Sequence, residues 1–69
     1  MEKIGLGKRW EMLRFVKEVE ELVQQGGFNL EVKFEQVVKS KFGREVNTQL
    51  AEVYLVGEEQ EIQQFLQTV

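Results

Sequence analysis

Histidine, aspartate, cysteine and proline are all absent from this chain, and serine occurs once, at Ser40. Without histidine or aspartate the side chains that most often move protons near neutral pH are missing, and a hydroxyl nucleophile would find no imidazole to activate it. Only glutamate, lysine or Tyr54 could do such work, so an enzyme is not expected. Zinc and other transition-metal sites draw on cysteine and histidine, and a magnesium site here would have to be built of glutamates alone. No metal and no cofactor is therefore expected. No apolar run approaches the roughly 20 residues that span a bilayer, and residues 1–7 contain no apolar signal core. Neither membrane attachment nor secretion is expected, and the cytoplasm is the default location.

Missing cysteine also removes disulfides at a length, 69 residues, where small domains often depend on one. Hydrophobic residues make up 42% and charged residues 30%, which is ordinary for a globular chain. A single domain over 1–69 is expected, one small enough for self-association to help stabilise it. The net charge of −3 conceals blocks of opposite sign: residues 1–17 sum to +3, 18–36 to −4, 37–44 to +3 and 45–69 to −5. Blocks of this kind suit complementary protein contacts at least as well as nucleic acid.

With no proline to punctuate the chain, glycines and changes of hydrophobic period mark the elements. Residues 8–25, "KRWEMLRFVKEVEELVQQ", place Met12, Phe15, Val16, Val19, Leu22 and Val23 at three- and four-residue spacings, a helix with one apolar stripe. Gly26-Gly27 supplies its stop. "FNLEVKFE" alternates Phe28, Leu30, Val32 and Phe34 with Asn29, Glu31, Lys33 and Glu35, the period of a half-buried strand. "QLAEVYLVG" reads as a second strand with Ala51, Val53 and Leu55 on one face and Glu52, Tyr54 and Val56 on the other. A helix through Val46, Leu50 and Val53 is the competing pattern, opposed by the β-branched and aromatic run "VYLV". In "EEQEIQQFLQTV", Ile62, Phe65, Leu66 and Val69 follow helical spacing, with Glu58, Glu59 and Glu61 where the helix dipole favours anions. Ile4 and Leu6 suggest a short first strand.

The order is (β)αββα, and the expected fold is a small α+β two-layer sandwich: an antiparallel sheet with two helices on one face. A right-handed β–α–β connection would set the first strand beside the third. This element order resembles ferredoxin-like ligand-sensing and interaction modules that lack the last strand. The resemblance implies a small-ligand sensor as one functional reading, and it rests on element order and no motif.

Three segments carry candidate function. Trp10 and Leu13 lie off the apolar stripe of the first helix, near Arg14 and Lys17, and exposed aromatics ringed by cations are what partner-binding hot spots look like. The competing explanation is that residues 1–7 fold over Trp10 or that it closes one end of the core. "KSKFGR" offers Lys39, Lys41 and Arg44 around Phe42, a composition that fits phosphates with a stacked base, an acidic protein surface, or a solvated hairpin tip whose Phe42 folds back onto the core. "IGLGKRW" could cradle an anion where a helix begins, but it lacks the spacing of a phosphate-binding loop, and glycines that let the chain turn from strand to helix explain it.

The leading expectation is a non-catalytic protein-binding module, a small regulator, adaptor or inhibitor. Its contact residues would be Trp10, Leu13, Arg14 and Lys17, joined by Lys39, Lys41, Phe42 and Arg44. The partner would be another protein, or a second copy in a homodimer formed through an open sheet edge. The alternatives are a nucleic-acid-binding domain, which needs cationic residues 8–17 and 39–44 on one surface, and the ferredoxin-like sensor.

Overall fold

A computed structural model describes residues 1–68; Val69, expected to extend the last apolar stripe, lies outside the described residues. The chain forms β1 (Glu2–Lys8), α1 (Arg9–Gly26), β2 (Glu31–Lys41), β3 (Arg44–Val56) and α2 (Glu59–Thr68). The sheet order is β1-β3-β2, with β3 antiparallel to both neighbours. β1 and β2 are therefore parallel, joined over the sheet by α1 and held apart by β3, which is the split β–α–β arrangement.

Alternation decides the faces. Phe34 stands opposite Val53 and Val32 opposite Leu55, while Lys33 pairs with Tyr54 and Glu35 with Glu52. The first set meets the helices; the second forms the open face. Ala51, Val53 and Leu55 are fully buried, and Leu55 joins Val19 and Val23 of α1 with Ile62 and Phe65 of α2 in one core, so both helices pack on the same face. Leu22 and Leu66, expected in the core, are exposed. Both sit at the rim of their stripes, and a sheet of three strands is too narrow to cover more than the stripe centres. α1 ends at Gly27 in the left-handed region (φ 69°), whose N–H reaches the Val23 and Gln24 carbonyls.

Two boundaries differ from expectation. Phe28 and Leu30 precede β2 but still pack on the core, Phe28 meeting Phe65 edge-on with centroids 5.3 Å apart. At the other end β2 and β3 continue as a hairpin well past the helices, and every residue from Val38 to Asn47 is exposed. At roughly 3.3 Å per residue, the 13 residues of β3 account for most of the molecule's 44 Å long axis.

The glycines of "IGLG" also take a different place. They lie within β1, not in a turn before α1. A Cβ at Gly5 would stand 3.0 Å from Phe15 Cε2 and 3.2 Å from Met12 Sδ, and one at Gly7 would stand 3.2 Å from Met12 Cε. Their role is to let α1 lie close on the strand that precedes it.

Candidate functional site

α1 begins immediately after β1, so its first turn stands at the end of the sheet where the β2–β3 hairpin departs. Trp10, Leu13, Arg14 and Lys17 are spaced i, i+3, i+4 and i+7 and share one face of α1, turned away from the core stripe. Trp10 is 58% exposed and Leu13 44%, and neither belongs to the core, so residues 1–7 do not fold over the indole. Both side chains line an open groove of ≈ 640 Å³, together with Lys8 and Arg9.

The opposite wall comes from the root of the hairpin. Gln36 pairs with Ala51 and Val38 with Asn47, so Thr48, Gln49 and Leu50 bulge opposite the single residue Val37. Gln49 adopts φ 60° to make the bend. Side chains stitch the bulge together. Asn47 Oδ1 accepts hydrogen bonds from Gln36 Nε2 (2.6 Å) and Gln49 N (3.0 Å); Thr48 Oγ1 donates to the Val37 carbonyl (2.8 Å) and accepts from Leu50 N (3.3 Å). Gln36, Asn47, Thr48, Gln49 and Leu50 thus give the groove a polar wall facing Trp10 and Leu13. These five residues were not among the candidates. The pair Asn47-Thr48 between Val46 and Leu50, side chains that bond readily to backbone two residues on, was the signal that a bulge interrupts the strand.

The remaining candidates stand at the hairpin tip. Phe42 (φ 54°) and Gly43 (φ 73°) form a two-residue turn of the kind that suits right-twisted strands. Glycine tolerates this conformation; a bulky residue there costs about 1–2 kcal/mol. Phe42 does not fold back onto the core. It is 93% exposed, with Lys41 Nζ 5.9 Å from its ring centroid. Lys41 pairs with Arg44 and Lys39 with Val46. β2 has no inserted residue at the bulge, so its alternation carries Lys39 and Lys41 onto the face of Lys33 and Glu35. The cations of the tip therefore occupy the open face, and those of α1 the helical side.

On the open face Glu52 accepts a hydrogen bond from the Tyr54 hydroxyl and lies 3.8 Å from Lys3 Nζ, while Lys33 and Glu35 are 2.8 Å apart. The hydrogen bond to Glu52 raises the Tyr54 pKa above the ordinary 10.0; loss of water and the charges of Glu52 and Glu35 add to the shift. Among the described residues no cluster of potential metal ligands is found, and no helix is long and apolar enough to cross a membrane. Compared with known proteins, the chain matches no family model, no curated protein and no solved structure.

Proposed function

We propose that this chain is a non-catalytic protein-binding module, a small regulator, adaptor or inhibitor that acts by occupying a partner's surface. The observation that carries the proposal is the exposed Trp10–Leu13 pair in a groove whose far wall is hydrogen-bonded into a fixed shape. An indole half in water adds nothing to the core, and aromatic side chains at the floor of a groove are where binding energy concentrates. Lys8, Arg9, Arg14 and Lys17 surround the pair, which favours a partner with an acidic rim around an apolar anchor and speeds the encounter. The projecting hairpin would embrace that partner from the side, with Phe42 as an outlying contact.

Photo-crosslinking from positions 10 and 13 in the source cell, with position 33 on the open face as control, tests the proposal. A discrete crosslinked protein from both groove positions, absent from the control and abolished by Arg14→Glu, is expected. Identical products from groove and control, or none from the groove, would remove the support for it.

A further inference from the structure

The two edges of the sheet differ in their fitness to accept another strand. β1 is interrupted by a register shift between Lys3 and Gly5 and contains two glycines, features that blunt an edge. β2 runs in regular register from Glu31 to Gln36, and its outer backbone groups face no strand among the described residues. Its open-face side chains are Glu31, Lys33, Glu35, Val37, Lys39 and Lys41. Alternating charge of this kind repels most pairings and so acts as a register selector.

We infer that β2 pairs antiparallel with β2 of a second copy, about a two-fold axis through Phe34 that stands normal to the sheet. Such an axis keeps both helical layers on one face and opposes residues of equal parity, so each register can be judged by the charges it brings together. An axis through Lys33, Glu35 or Lys39 sets that residue against itself. One through Gln36 opposes Lys33 to Lys39, and one through Val37 opposes Lys33 to Lys41. From Glu31 to Lys41, only Val32, Phe34 and Val38 set no like charges opposite one another, and a Val32 axis pairs no more of the strand than Glu31–Lys33. The Val38 axis would centre the pairing beyond the Gln36/Val38 register shift. The Phe34 axis centres it on the regular stretch and sets Lys33 opposite Glu35 of the second copy twice.

The helical side of the strand supports the same register. It brings Phe34 against Phe34 of the second copy. It also sets Val38, 49% exposed with no helix above it, opposite Leu30 of the second copy. Leu30 lines a groove of ≈ 320 Å³ with Val23 and Val32, between α1 and the β2 edge, which would receive Val38. Within one copy the Lys33–Glu35 pair is half-exposed on both sides and contributes little. Exchanged across the axis, the same charges specify the partner. The product is a continuous sheet, β1-β3-β2-β2-β3-β1, in which Gln36, opposite Val32 of the second copy, is the groove residue that the contact reaches, while Trp10 and Leu13 stay outside it.

Sedimentation equilibrium of the full chain over a range of concentrations tests the inference. The wild type is expected to dimerise. Lys33→Glu and Glu35→Lys, each placing like charges opposite at two positions, should each raise the dimer dissociation constant about tenfold. A mixture of the two single variants should recover the wild-type constant, because every opposed pair is again of opposite sign; an ion pair within one strand cannot produce that recovery. Circular dichroism confirms that both variants fold. A wild type that stays monomeric at millimolar concentration, variants that dimerise unchanged, or a mixture that fails to recover would overturn it. So would disruption by Glu35→Lys alone, which points to the Val38 axis.

Discussion

The body of the molecule and its projecting hairpin are made from the same two strands, yet they are governed by different physics. From Glu31 to Glu35 of β2 and Ala51 to Val56 of β3, one face lies under two helices and every second side chain is buried or half-buried. From Val38 to Asn47 nothing covers either face, and the ladder is held by backbone pairing and by the side-chain hydrogen bonds of the bulge. Burial stabilises the body, whereas the hairpin adds little stability and costs some, through Gln49 and Phe42 in the left-handed region. A chain this small carries such a hairpin at the expense of its own margin, which is the pattern expected of a binding element.

Four substitutions test the contrast, read as changes in unfolding free energy from urea titration. Leu55→Ala should have the largest effect, a loss of about 3 kcal/mol, because it empties a site at the centre of the core. Gly5→Ala should cost about 1–2 kcal/mol, since the new Cβ meets Phe15 at 3.0 Å and α1 must lift. Asn47→Ala should cost about 1 kcal/mol by removing the acceptor shared by Gln36 and Gln49, and should loosen the groove wall without unfolding the body. Phe42→Asn should have the opposite sign and stabilise the chain by up to about 1 kcal/mol, because asparagine tolerates positive φ. If Phe42→Asn destabilised the chain as much as Gly5→Ala, the tip would contribute stability comparable to the body's and the contrast would fail.

The smallest effect belongs to Tyr54. Its folded-state pKa is raised above 10.0, so folding retains the phenolic proton and the stabilisation is complete below that value. It is lost as the pH climbs through the folded pKa. Tyr54→Phe should therefore lower stability slightly near neutral pH, where the hydrogen bond to Glu52 is intact, and flatten the alkaline end of the profile, so that the two chains converge as the pH climbs.

Most of the body was legible in the chain. Val19, Val23, Ile62 and Phe65 occupy helical spacings and are buried; Ala51, Val53 and Leu55 alternate and are fully buried. Period alone predicts these positions, because an apolar stripe of either kind must find a covered face. The candidate site was half legible. Trp10 and Leu13 stood out as apolar residues off the stripe, but Gln36, Asn47, Thr48 and Gln49 carried no signal of sharing a groove with them, since the contact joins residues distant in sequence. Phe42 was open between a core role and an exposed one, and nothing local to the tip decides that.

What the sequence determined by itself is the set of elements, the buried face of each, and the absence of histidine, aspartate and cysteine. Tertiary structure decided the rest. The packing of α1 on β1 shows that Gly5 and Gly7 make room for Phe15 and Met12, and the β2–β3 register shows a hairpin that outruns its helices. It also places the cations of the hairpin tip on the open face, away from those of α1. The physical reason is that periodicity reports how each residue faces its own element's axis, whereas register, bulges and the reach of one layer over another depend on pairings between segments far apart in the chain.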